Sequence, residues 1–266
     1  MALSIGTNDG AMRASQAASI AARGMEASME RLSTGKRINS ASDDAAGVAI
    51  SSRLSAEVRG TNQSIRNALD GQALIDTAEG AHKEVENILQ RMRELAIQAA
   101  NGTNDADDIT NLEAEFTALS TEITRIGAAT SFAGKALTGT DATAFSFQVG
   151  SATGTDNQIS VTINSIQSAA IGTAGGTQLS AIVSDGLDDL TETNAAIVVI
   201  DDAIKEVNTQ RSELGAVSNR LNHTVNNLTN ISSNLSSAQG RIQDADFALE
   251  TTKLAKNQIL QQASTA

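Results

Sequence analysis

From Leu74 to Ala99, apolar residues recur four and three positions apart: Leu74, Ala78, Ala81, Val85, Ile88, Met92, Leu95 and Ala99. That spacing keeps one stripe of an α-helix turned towards a partner helix. A second run, Ile200, Val207, Leu214, Leu221, Leu228, Leu235 and Ile242, repeats every seven residues in the C-terminal half. Its companion position drifts between Ala203/Ile204, Val217, Val225, Ile231 and Ala238, which points to a helix packed on unequal neighbours. No proline interrupts either run, so the commonest helix breaker is missing from all 266 residues. Aromatic residues make up only 2% of the chain, too few to fill a thick globular centre. Ala, Leu, Ile and Val instead suit thin helix-to-helix packing. These features predict a mainly α fold: an elongated antiparallel coiled-coil or helical-bundle rod.

Local signals divide the chain further. Asn101–Gly102 ends the first heptad helix through residues that tolerate a left-handed turn, and "DADDITNLEAEF" restarts it, with Asp107 or Asp108 as its cap. Leu112, Phe116, Leu119, Ile123 and Ile126 form a second stripe, so the two helices should make an antiparallel hairpin. Phe145/Phe147/Val149 and Ile159/Val161/Ile163 alternate with strand period around the turn-rich "SATGTD", the pattern of a β-hairpin. "AAIGTAGGTQLSA" reads as loop. Both chain ends are thin amphipathic helices, carrying Met12, Ile20, Met25, Met29 and Leu32, then Phe247, Leu249, Leu254, Ile259 and Leu260. Such ends fray or gain order against copies of themselves. The expected segments are an N-terminal arm (1–45), N-terminal rod helices (46–136), hairpin and loop (137–190), a C-terminal rod helix (191–244) and a C-terminal arm (245–266), with the terminal helices paired.

Chemistry is hard to find. The formal charge of -12 disfavours nucleic-acid binding, which needs a basic face. No apolar run is long enough to span a membrane, and the N-terminus lacks a secretory signal. There is no cysteine, hence no disulfide or thiolate chemistry. His82 and His223 stand on different helices without a second ligand at zinc spacing. "STGKR" lacks the preceding Gly of a phosphate loop, since Glu30 stands there. Asp105, Asp107 and Asp108 lack the Gly and distal Glu of a calcium loop and read as helix capping. The Asn-X-Ser/Thr triplets at Asn62, Asn101 and Asn222 carry little weight in so Ser-, Thr- and Asn-rich a chain. No catalytic couple, metal set or cofactor cradle stands out, and no enzyme is expected.

Three stretches carry a resemblance to bacterial flagellin: "RLSTGKRINSASDDAAGVAISSRL" (31–54), "ILQRMRELAIQAANGT" (88–103) and "RSELGAVSNRLNHTVNNLTNISSNLSSAQGRIQDADFALETTKLAKNQILQQA" (211–263). The resemblance implies a subunit that self-assembles into the helical filament used for swimming. Its paired ends would form the inner core, and its rod helices the next shell. It implies export through the flagellar type III route without a cleaved signal, an extracellular location and no cofactor. The implied partners are other flagellin subunits, an export chaperone, and junction and cap proteins. The short middle resembles a minimal flagellin without a large outer domain. The family continues past "QILQQASTA" for a further amphipathic stretch that closes the inner core, whereas this sequence stops at Ala266. Flagellins with matching Arg, Leu and Glu are recognised by Toll-like receptor 5. The matching residues are Arg91, Leu95 and Glu115, with Gln98 close by, and the same surface resembles the axial subunit contact. That reading needs Leu95 partly exposed, whereas the heptads assign it to the core. The hook–filament junction proteins, with flagellin-like ends, are the alternative. A protease-bearing flagellin would need a motif such as HExxH, which is absent here.

Overall fold

The computed structural model describes residues 8–140, 142–172, 177–187 and 190–265. Six α-helices dominate them: α1 (Asp9–Thr34), α2 (Ala45–Ala99), α3 (Ala106–Ala129), α4 (Leu179–Asp185), α5 (Leu190–Gln243) and α6 (Phe247–Thr265). The strands are β1 (Ser131–Phe132), β2 (Lys135–Ala136), β3 (Thr143–Gln148) and β4 (Gln158–Ile163), paired antiparallel as β1–β2 and β3–β4. The mainly α class, the small β-hairpin and the paired terminal helices are as expected. The chain divides into two units, residues 1–60 with 230–266, and residues 61–229.

In the 61–229 unit, α2 and α5 run antiparallel, as the Arg93–Asp201 ion pair (2.6 Å) and the Arg211–Glu86 pair require. The buried face of α2 is wider than its heptad stripe. Ala78, Val85, Met92 and Ala99 are buried as predicted, but Ile75, His82, Leu89 and Ala96 are buried beside them, while Ala81 and Ile88 are only half-buried. The physical reason is that α2 meets α5 on one side and α3 or the β3–β4 hairpin on another, which needs about three positions per heptad. Two clusters result. One joins α2, α3, α4 and α5 around Leu89, Met92, Leu95, Phe116, Ile123 and Ile200. The other joins α2 and α5 to the hairpin around Ile75, Val161, Ile163, Leu214 and Leu221. Here Gly71 on α2 admits the Phe147 ring, which a Cβ at that position would meet at 3.1 Å.

Several local expectations need correction. The helix break at Asn101–Gly102 is real, but neither residue has positive φ. The turn is held by Asn101 N donating to Gln98 O, and by Asn104 Nδ2 donating to the same carbonyl at 2.7 Å. The cap of α3 is Asp105 rather than Asp107 or Asp108. It accepts from Asp108 N at 2.9 Å, and Asp108 reaches back to the Asp105 N–H as a capping box. The end of the segment read as loop is the start of α4, whose Leu179 and Ile182 are buried in the first cluster. Residues 173–176 of that segment lie outside the described residues. In α5, Ile200, Val207, Leu214, Leu221 and Leu228 are buried as the heptads predict, while Leu235 and Ile242 are half-buried.

In the other unit, α1 and α6 pack antiparallel, with Arg31 paired to Glu250 and Gly24 facing Asn257. A short bridge ties the linkers together. Arg37 N donates to Gln243 O (2.7 Å), and Ala245 N donates to Gly35 O (3.0 Å).

Candidate functional site

The paired chain ends form the first surface. Asn8 caps α1, accepting from Gly10 N and Ala11 N, and Gly35 ends it at φ 70, the left-handed conformation favoured at helix C-termini. Across the α1–α6 contact the closest approach is by small groups. A Cβ at Gly24 would lie 2.6 Å from Asn257 Nδ2, and the buried residues of α1 are Ala21 and Ser28. Glu250 is the buried residue of α6, bonded by Lys253 (2.8 Å) and Arg31 (3.4 Å). The hydrogen bond from Lys253 holds its carboxyl below the usual range, against the opposing effect of burial. Met25, Leu32 and Leu254 are half-buried, while the other large apolar side chains of the two helices stay exposed. Met12 is 63% exposed, Ile20 58%, Phe247 58% and Ile259 65%; Met29 and Leu249 are also more than half exposed. Six large apolar groups are thus left in water on these two helices.

The second surface lies on α2 and α3 of the 61–229 unit. Arg91 Nε donates to Glu115 Oε1 at 2.9 Å, and Arg91 Nη1 to Glu94 Oε2 at 3.0 Å. The bond to Glu115 raises the already high pKa of the guanidinium. The structure therefore brings two of the predicted residues, Arg91 and Glu115, into direct contact across the α2–α3 hairpin. Gln98 is exposed about two helical turns beyond Arg91, and its main-chain carbonyl holds the turn to Asn104. Leu95 departs from the surface reading: it is 1% exposed and belongs to the core under the ion pair. The apolar residue that does reach solvent here is Ile97, at 49%. The heptad stripe skips Ile97, so only its size and its place off the stripe could have marked it.

Among the described residues no group of three His, Cys, Asp or Glu side chains could hold a metal ion, and no helix is long and apolar enough to cross a membrane. Buried polar bonding instead serves packing. His82 lies fully buried with Nδ1 2.7 Å from Ala78 O, and burial depresses its pKa.

Paired terminal helices with exposed apolar faces, joined to a helical unit bearing a β-hairpin, define a structural protein built for association. Model matches show which one. The bacterial flagellin N-terminal helical region matches residues 5–141, and the flagellin C-terminal helical region matches residues 197–266. The chain belongs to the bacterial flagellin family, whose members form the extracellular flagellar filament. Polar flagellin F of Vibrio parahaemolyticus is 34% identical over 359 aligned positions, covering 100% of this chain and 95% of that protein. The flagellin of Halalkalibacterium halodurans is 44% identical over 238 positions, 90% of this chain and 84% of that one. The crystal structure of Bacillus cereus flagellin shares 32% identity, a TM-score of 0.50, 65% of this chain and 94% of that chain. A candidate flagellar hook-associated protein from Vibrio parahaemolyticus, at 17% identity, shares the fold with a TM-score of 0.64 over 76% of this chain and 100% of that one.

Proposed function

We propose that the chain is a filament flagellin whose terminal helices complete their packing only against neighbouring subunits. The carrying observation is the set of exposed apolar residues on α1 and α6, left open by a contact made of Gly24, Ala21 and Ser28. Burying a large apolar side chain stabilises by about 1.5–3 kcal/mol, so these side chains, covered in every subunit, supply a strong drive to associate. Contacts that do not close into a ring extend into an open helical tube. The subunit leaves the cell by the flagellar export route with a chaperone, and adds to the tube below a cap. Replacing Met12, Ile20, Phe247 and Ile259 together by Ser tests this. Polymerisation is lost while the 61–229 unit melts as before. Filaments of normal length from that variant overturn the proposal.

The free monomer is also a ligand for Toll-like receptor 5, through the Arg91–Glu115 pair and Gln98. Leu95 supports this surface from beneath rather than touching the receptor. The same surface serves as the axial contact, so the polymer hides it. In a receptor reporter assay on monomer, Arg91→Ala and Glu115→Ala each weaken the signal; unchanged signals from both overturn the assignment. A deletion strain separates the filament role from the hook–filament junction role. Loss of the filament with no secreted, unpolymerised flagellin is expected; secreted flagellin from that strain identifies a junction protein instead.

A further inference from the structure

In the unit formed by residues 1–60 and 230–266, a concavity of about 480 Å³ opens beside the start of α2. Its walls come from three stretches: Lys36 to Asn39, the α2 residues Val48 to Arg59, and Gln239 with Gln243 at the end of α5. Two cations, Lys36 and Arg59, line it, and no carboxylate does. In a chain of formal charge -12, a lining with cations and no carboxylate stands out. Neither cation has an ion-pair partner among the described residues, so both are available to an anion.

The neutral groups around them point the same way. Ser51 Oγ donates to Gln243 Oε1 at 3.1 Å, which leaves the Gln243 Nε2 amide as an unengaged donor. The Ser52 and Ser55 hydroxyls also line the hollow and bond to no other described residue. Ile38, 3% exposed, closes its floor, and Gly47 makes room for it, since a Cβ there would meet Ile38 Cδ1 at 2.5 Å. The hollow thus presents an ammonium, a guanidinium, two hydroxyls and an amide N–H, while the nearby carboxylates of Asp43 and Asp44 are taken up by the main-chain N–H groups of Asn39, Ser40 and Gly47. A carboxylate offers about four lone-pair sites, all in one plane. Donors on three walls of a hollow suit a tetrahedral oxyanion better.

We propose that this hollow binds a tetrahedral oxyanion of the phosphate or sulfate class, with Lys36 and Arg59 supplying the charge and Ser52, Ser55 and Gln243 the directional bonds. The bound anion ties the 36–39 segment to α2 and to the end of α5. The proposal is independent of polymerisation, and its test reads the monomer.

The full chain is titrated with sodium phosphate, sodium sulfate and sodium acetate at constant ionic strength set with chloride, and backbone amides are followed by NMR. Saturable shifts with phosphate or sulfate, confined to residues 36–59 and 239–243, are expected. Acetate should bind at least tenfold more weakly. Lys36→Gln with Arg59→Gln should weaken phosphate and sulfate at least tenfold. The control pair Lys83→Gln with Lys135→Gln, both exposed and in the other unit, should leave binding unchanged. Three results overturn the site: shifts that do not saturate, shifts spread over every cation of the chain, or equal binding by parent and the Lys36/Arg59 variant. Acetate binding as tightly as phosphate overturns the tetrahedral assignment. A Ser52→Ala, Ser55→Ala variant, which keeps both cations, should still weaken phosphate; full affinity in it contradicts the directional role of the hydroxyls.

Discussion

Leu95→Ala separates burial from surface recognition at the position where the two readings of the helix conflict. Leu95 is 1% exposed within the cluster of Met92, Ala99, Phe116, Ile123 and Ile200. Truncation removes three carbons, or about 2.4 kcal/mol of transfer free energy at roughly 0.8 kcal/mol per carbon. The neighbours belong to three helices, with α2 tied to α3 and to α5 by ion pairs, so little collapse of the void is expected. A cavity term then raises the expected loss to about 3–4 kcal/mol, inside the range of about 2–5 kcal/mol seen for buried Leu→Ala changes. At this size of unit that lowers the melting temperature by roughly 6–16 °C, at about 2–4 °C per kcal/mol. Urea denaturation of the monomer, followed by far-ultraviolet circular dichroism, measures it as a shift in midpoint at unchanged slope. Arg91→Ala removes only the exposed ion pairs to Glu94 and Glu115 and should leave the midpoint close to that of the parent. A loss below about 1 kcal/mol for Leu95→Ala, or an equal loss for Arg91→Ala, refutes the assignment of Leu95 to the core. The same result governs receptor assays: a weakened signal from Leu95→Ala reports stability as much as contact.

Other substitutions follow from local geometry. Gly172 sits at φ 80 with Val199 Cγ1 and Val199 O at 2.7 and 3.0 Å from any added Cβ; Gly172→Ala should cost about 1–3 kcal/mol in the same urea assay. Ala133 holds φ 49 in the β1–β2 turn, and a left-handed alanine costs about 1–2 kcal/mol. Ala133→Gly should therefore raise the thermal midpoint slightly. His82 is neutral when folded, since Nδ1 must donate to Ala78 O while Nε2 lies buried without a partner. Burial holds its pKa below the ordinary histidine value, outweighing the opposing hydrogen bond to Ala78, with smaller effects from Arg211 (downward) and Glu79 (upward). The unfolded chain therefore binds the extra proton first. Its contribution is complete above about pH 6.5 and is lost as the pH falls from there through the depressed folded value. His82→Met should flatten that part of the stability–pH curve measured by urea titration; an unchanged slope refutes the assignment.

Much of this was legible in the residues because heptads report helix partners directly. The α5 positions from Ile200 to Leu228 are buried as their spacing requires. On α2 the same rule found the helix but understated its contacts. Ala96 and His82 do not look like core residues, yet each fills a place where a second neighbour presses in. The helix α4 escaped notice because seven residues carry too short a pattern, and no side chain caps it. Its stability comes from Leu179 and Ile182 in a core assembled by distant segments. Family likeness named Arg91 and Glu115 for one surface, but not their direct pairing, of which the separation of 24 residues gives no local sign. The cationic hollow was invisible for a related reason, since its walls join residues near 36, 55 and 243.

Hydrogen–deuterium exchange on the monomer and on the filament it forms tests the role of the chain ends most directly. The α1–α6 contact buries little beyond Ala21, Ser28 and Glu250, so it should open often in the free chain. The amides of residues 9–34 and 247–265 are predicted to exchange rapidly in the monomer and to become strongly protected in the filament, while the α2–α5 core near Leu89 and Ile200 is protected in both. Equal exchange of the two end helices in monomer and filament would contradict completion of their packing by neighbouring subunits.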